Sequence, residues 1–329
     1  MRSHNTRHSL IVRTAAASAL LTLAAHIPSA SAQDASTYYT VQHPEQFKID
    51  WGAFYRQADA KTAAVRAQLP HYLNLAYGQD VKQRLDLYLP TKKPAHAPVF
   101  LFLHGGGFRE GDRAQYGFVA KPFADHGVIT AVASYRLTGD GFKYPDQPHD
   151  TQLAVEWLYR NIAKYGGDPD RLYVGGHSAG AILSAEIGVD RGWLKSAGIP
   201  TRVLRGIAPI SGPYDLRTAG RPGEDSAYAP TPELKEQASP LLHIVDPAPA
   251  AVIALGSAEN LGSAKQSDMV MDSSKAFAAK LQAAGVKTQL LILDGKDHRG
   301  TVTALGDEDS ELFKAVIQMI TAPPEAAAR

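Results

Sequence analysis

The stretch RLYVGGHSAGAILSAEIG, Arg171–Gly188, sets a short apolar run directly against a longer one rich in Ala, Ile and Leu, with one serine, Ser178, between two glycines at the junction. The first run reads as a strand buried on both faces and the second as a helix. A strand that turns at once into a helix forces the residue at the bend into strained backbone angles and brings neighbouring segments close, so side chains at Gly176 and Gly180 would collide. Such a turn lifts the Ser178 hydroxyl clear of the sheet, at a helix N-terminus where the local dipole favours developing negative charge. Gly-x-Ser-x-Gly between strand and helix is the context of a nucleophile elbow. The plainer alternative is a glycine-rich strand end with a helix-capping serine, and the rest of the chain bears on the choice.

The same alternation extends outward from that turn. VKQRLDLYLP (Val81–Pro90) alternates as a half-buried strand does, and VFLFLH (Val99–His104), VITAVASY (Val128–Tyr135), LRGIAPIS (Leu204–Ser211), AAVIALG (Ala250–Gly256) and KTQLLIL (Lys287–Leu293) are apolar runs. Helical patterns run over Asp50–Gln68, from near Asp150 to a stop at Gly166–Gly167, over Asp268–Gly285 and over Asp309–Ile320. Strands alternating with helices predict a doubly wound, mostly parallel α/β sheet. The segment Pro213–Pro240, rich in Pro, Gly and charge, reads as a cap or loop excursion over about 213–245.

Arg2, Arg7 and Arg13 precede the apolar run TAAASALLTLAA (Thr14–Ala25), and SASA (Ser29–Ala32) follows it. A basic head, a short apolar middle and small residues at the exit describe a secretory signal peptide cleaved after Ala32. The run is too short to span a bilayer, so no membrane span is expected after cleavage, and the expected location is secreted or periplasmic. The division that results is a signal peptide over 1–32, an N-terminal helical segment over 33–80 and a catalytic domain over 81–329. Losing three arginines and no acid takes the formal charge from +1 to −2, and such a near-neutral surface offers no electrostatic case for nucleic acid. The chain has no cysteine, hence no disulfide framework, and a domain of this size buries enough core without one.

HGGGF, His104–Phe108, ends the first continuously apolar strand. Glycines let a chain turn its N–H groups into a cavity, so Gly106 and Gly107, with the N–H of Ala179, are the candidate donors to an oxyanion. Of the twelve histidines, His298 is the one just beyond the last predicted strand, in a loop, where a base belongs in the order serine, acid, histidine. His104 is read as holding the glycine loop in shape and His177 as packing. The acid should follow the Ala250–Gly256 strand: Glu259, three residues after Gly256, is the candidate, and Asp268, at the start of the next helical pattern where an acid can simply complement the helix dipole, is the alternative. No histidine pair has metal-ligand spacing, so neither metal nor cofactor is expected. Phe108, Tyr214 and Tyr228 are candidate pocket residues beside the glycine loop or in the excursion.

HGGGF, GHSAG, REGDRAQYGFVAKPFADHGV (Arg109–Val128), YRNIAKYGGDPDRLYV (Tyr159–Val174) and ISGPYDL (Ile210–Leu216) together resemble the esterase/lipase branch of the α/β-hydrolase superfamily. The likeness is greatest to kynurenine formamidase-like and feruloyl-esterase-like enzymes and runs from about Leu85 to His298. It implies the α/β-hydrolase fold and serine–histidine–acid chemistry. GSAENLGSAKQS (Gly256–Ser267) resembles the formamidase loop, which favours Glu259, whereas DMVMDSSKAFAAKL (Asp268–Leu281) resembles a hormone-sensitive-lipase-like segment, which favours Asp268. The third glycine before Phe108, where formamidases carry an aromatic pair after two, and the export signal favour a carboxylesterase acting on a small or aromatic ester. An arylformamidase is the alternative enzyme, and a non-catalytic ligand binder on the same fold is the alternative of another class.

Overall fold

The computed structural model describes residues 49–92, 95–218, 227–245, 248–261 and 264–322. The expected signal peptide (1–32) and the middle of the excursion lie outside these residues. The N-terminal pattern forms helix α1 (Trp51–Gln68), with the Asp50 carboxylate accepting from the Ala53 N–H at 2.8 Å as its cap. Two strands follow, β1 (His71–Ala76) and β2 (Arg84–Tyr88), then β3 (Ala97–Leu103), α2 (Ala120–Asp125), β4 (Ile129–Ala133) and α3 (Asp146–Asn161). The serine segment forms β5 (Gly167–His177) and α4 (Ala179–Val189), followed by α5 (Gly192–Ser196) and β6 (Leu204–Ile210). The excursion contributes α6 (Pro232–Gln237), and β7 (Ala250–Gly256), α7 (Ala264–Ala283), β8 (Thr288–Leu293), α8 (His298–Leu305) and α9 (Glu311–Thr321) complete the order.

These strands make one sheet in the order β1-β2-β4-β3-β5-β6-β7-β8. The pairings β1–β2 and β2–β4 are antiparallel and the rest parallel, so the expected mostly parallel, doubly wound sheet is what forms. β3 shows why its run is continuously apolar. Val99, Leu101 and Leu103 enter the core cluster on one face with α3 and α4, while Phe100 and Phe102 enter the cluster on the other with α1, α2 and α9. Successive side chains of a strand point to opposite faces, and both are covered here.

Three differences from the sequence expectation have local causes. β1, within the segment read as helical, joins the sheet edge as a strand. Its pairing slips between Tyr72 and Leu75, where Asn74 takes φ 61° and donates its N–H to Asp86 at 2.8 Å. A short edge strand broken by a bulge offers too few residues for its alternation to stand out. α3 begins at Asp146, four residues before the expected start. His298 lies in the first turn of α8 rather than in a loop, capped by Asp297, which accepts from the Gly300 N–H at 2.7 Å.

Candidate active site

β3 sits where the strand order reverses: the chain leaves it for β4 on one side and returns to β5 on the other. Such switch points open a crevice beyond the carboxyl ends of the strands. Leu103 pairs with Gly176 across β3 and β5, so HGGGF and the serine turn emerge side by side. Ser178 has φ 57° and ψ −115°, held by its N–H donating to the Ile210 carbonyl at 2.9 Å. A Cβ on Gly180 would lie 2.7 Å from the His104 carbonyl oxygen and closer still to that of Leu103. The flanking glycine therefore answers a close approach of two backbones, as the sequence implies.

In the glycine loop, Gly106 and Gly107 take φ 122° and 60°, and Phe108 takes 62°. The Gly106 carbonyl accepts from the N–H groups of Arg109 and Glu110 at 3.0 and 3.1 Å, which closes the turn. Among the described residues, the N–H groups of Gly106 and Gly107 enter no turn or loop backbone hydrogen bond. Ala179 is the first residue of α4, where helix geometry leaves the N–H without a partner in the helix. His104 is fully buried, stacked on Tyr135 at 4.4 Å, and its Nδ1–H donates to the Gly105 carbonyl at 2.7 Å. Burial pushes its imidazole down to about 4, so it stays neutral and serves the shape of the loop.

Beyond β7 and β8 the structure brings two candidates together. His298 Nδ1 lies 2.8 Å from Glu259 Oε2, and both side chains are almost wholly buried. The other carboxylate oxygen, Oε1, accepts from the Ser211 hydroxyl at 2.5 Å and from the Gly256 N–H at 3.1 Å. Burial pushes the Glu259 carboxyl up, but the His298 imidazole and these hydrogen bonds outweigh it and hold the group at about 2. Asp268 is solvent-exposed on α7. With Nδ1 bonded to a carboxylate, Nε2 faces the other way, and among the described residues this buried atom has no hydrogen-bond partner. A ring so arranged is oriented to accept a proton at Nε2 and to be stabilised once it carries two.

Sequence reasoning missed several members of this cluster. Ser211, at the end of β6, and Thr301, on α8, are linked at 2.9 Å, and the Thr301 hydroxyl also lies 2.8 Å from the His298 carbonyl. The Asn260 carboxamide oxygen accepts from the His298 N–H at 3.3 Å. Trp51, at the start of α1, sets its ring edge-on to His298 at 6.2 Å. The position of Ser211 at a strand's carboxyl end was a readable signal, whereas Thr301 and Trp51 had none. His177, read as packing, donates from Nε2 to the His298 carbonyl at 2.8 Å.

The three pocket candidates separate. Phe108 stacks face to face on Tyr228, with ring centroids 3.6 Å apart, beside the glycine loop. Tyr214 instead belongs to the core: it is fully buried, stacked on Phe277, in the cluster that joins α4, β7 and α7. Its ring is the natural partner of the apolar face of α7, a placement invisible from its position after Ser211.

The sequence model of the BD-FAE family matches residues 85–198, which hold the glycine loop and the serine turn. A probable isoprenylcysteine alpha-carbonyl methylesterase of Arabidopsis thaliana is 28% identical over 246 residues, covering 68% of this chain and 50% of its own length. The chain thus spans half the length of that relative. Kynurenine formamidase of Danio rerio is 25% identical over 264 residues, covering 79% of this chain and 85% of its own. Among solved structures, a truncated carbohydrate esterase from gut microbiota superposes with a TM-score of 0.64 at 20% identity, covering 77% of this chain and 95% of its own. Among the described residues, no helix is long and apolar enough to cross a membrane. Sheet order and structural likeness agree on the α/β-hydrolase fold, and the sequence is similar to esterase-type members of it.

Proposed function

We propose that the protein is an exported serine carboxylic-ester hydrolase that works through an acyl-enzyme on a small or aromatic ester. The observation that carries this is the buried Glu259–His298 pair, with Nε2 of His298 unpartnered among the described residues, in the molecule that strains Ser178 at the elbow. The Ser178 hydroxyl attacks the ester carbonyl carbon while His298 Nε2 takes its proton, and the tetrahedral oxygen is received by the N–H groups of Gly106, Gly107 and Ala179. The imidazolium then protonates the leaving alcohol as the carbon–oxygen bond breaks. Water, deprotonated by the same nitrogen, attacks the acyl carbonyl, and the imidazolium returns that proton to the Ser178 oxygen as the acyl–oxygen bond breaks. Glu259 remains a carboxylate throughout and stabilises the imidazolium. No cofactor enters these steps.

Ser178→Ala is expected to abolish p-nitrophenyl acetate hydrolysis and covalent labelling by a fluorophosphonate while leaving the circular dichroism spectrum unchanged. A Ser178→Ala protein that still labels and turns over would overturn the assignment. A second reading, an arylformamidase with the same machinery, is favoured by the match that covers 85% of the Danio rerio enzyme's length. N-formylkynurenine assayed beside short-chain and feruloyl esters separates the two by relative kcat/KM. For export, the amino-terminal sequence of protein recovered from the periplasm or medium is expected to begin after Ala32.

A further inference from the structure

The ring of His177 lies between the three segments that build the site. It is buried at the last residue of β5, next to Ser178, with its centroid 4.5 Å from that of His298. Because the partner of Nε2 is a carbonyl oxygen, that of His298 at 2.8 Å, Nε2 must carry the proton. The glycine loop closes on the other side: a Cβ on Gly105 would come 2.9 Å from His177 Nδ1 and 3.2 Å from the Ser178 Cβ. Among the described residues, Nδ1 has no hydrogen-bond partner.

The other bonds of His298 come from elsewhere. Glu259 and Asn260 reach it from the segment after β7, and Thr301 is one turn along the same helix. A bond within α8 cannot place that helix relative to the sheet. Among the hydrogen bonds that His298 makes to described residues, the one from His177 alone comes from the β5–α4 turn.

We propose that His177 is a positioning residue for the base: its Nε2–H fixes the main chain of His298, so that one strained turn sets both the nucleophile and the histidine that activates it. Burial, and then the neighbouring His298, push the His177 imidazole down to about 3, so it remains neutral when His298 becomes an imidazolium. This role rests on the ester-hydrolase reading.

The test compares two amides that differ in reach. His177→Gln places an N–H where Nε2 stands, and His177→Asn falls short by one methylene. Misplacing a catalytic group by about 1 Å costs about 100-fold. The Asn variant is therefore expected to lose about that factor in kcat for p-nitrophenyl acetate and in fluorophosphonate labelling rate, with KM changed by less than about 3-fold. The Gln variant is expected to return within about 10-fold of the parent, with both melting at similar temperatures. Equal activity in the two variants, or an Asn variant within about 3-fold of the parent, would overturn the role while Ser178→Ala remains inactive. Activity surviving in Ser178→Ala would instead bring down the hydrolase reading, and this role with it. One measurement needs no variant: nitrogen-15 imidazole spectra of the unaltered protein should show His177 as the neutral Nε2–H tautomer from pH 5 to 9. A titrating His177, or an Nδ1–H tautomer, would overturn the proposal even if both variants fail to fold.

Discussion

Glu259 illustrates how opposing effects are weighed at one residue. Burial alone would favour the protonated acid, yet the His298 imidazole, the Ser211 hydroxyl and the Gly256 N–H all favour the carboxylate and win. With the folded group held near 2 against an ordinary 4.5, the folded state binds the proton less readily than the unfolded chain. Its stabilisation is therefore complete above about pH 4.5 and lost as pH falls towards 2. Urea midpoints between pH 6 and 3 are expected to fall more steeply for the parent than for Glu259→Gln. The same substitution leaves the imidazolium without its counter-charge and is expected to lower kcat by about 10,000-fold, the scale of replacing a serine triad's acid by its amide. Asp268→Asn, at an exposed position on α7, is expected to change kcat by less than about 3-fold. Comparable losses in both would reject the assignment of the acid.

At the scale of elements, the β5–α4 turn works because two backbones approach within the reach of a methyl group. A Cβ on Gly180 meets main-chain carbonyls of Leu103, the last residue of the central strand, and of His104 just after it, and neither can swing aside as a flexible side chain would. Gly180→Ala is therefore expected to destabilise by about 1–3 kcal/mol, the usual range for overpacking, and to displace the glycine loop. Thermal melts together with the rate of Ser178 labelling measure both effects, and an unchanged melting temperature would contradict the close approach. Ser211 and Thr301 act between elements as well, linking the end of β6 to the first turn of α8 through hydroxyls at 2.9 Å. The excursion is anchored to the same region, for Tyr228 stacks on Phe108 and directs its hydroxyl to Glu186 on α4 at 3.4 Å.

For the molecule as a whole, that last contact predicts a pH dependence opposite to the one Glu259 provides. Partial burial beside Tyr228 pushes the Glu186 carboxyl up to about 8, although the hydrogen bond from the Tyr228 hydroxyl acts the other way. The folded protein keeps a proton that the unfolded chain surrenders above about 4.5. Its contribution to stability is thus fully present below about pH 4.5 and declines as pH rises through 8. Glu186→Gln cannot ionise, so its urea midpoint should exceed the parent's by a margin that widens from pH 5 to 9. A constant margin would show that Glu186 already ionises freely. The architecture around it follows from the sheet, whose strand order reverses at β3, the kind of point beyond whose carboxyl ends α/β folds place their sites.

By itself the sequence determined the features whose causes are contiguous. The apolar runs specify strands buried on both faces, the serine between glycines specifies a strained strand-to-helix turn, and the triple glycine specifies a loop with positive φ, because backbone sterics act over a few residues. It could not settle the choice between Glu259 and Asp268, which lie nine residues apart and both after β7. That choice depends on where the end of β7 stands relative to the end of β8, which the register pairing Gly256 with Leu293 decides. The same holds for Tyr214, apolar-faced and near the site in sequence but claimed by the core, and for Ser211, Thr301 and the ring of His177. Hydrogen bonds form where a donor and an acceptor come within about 3 Å in a given direction, and for residues 39 or 121 positions apart only the folded sheet supplies that proximity.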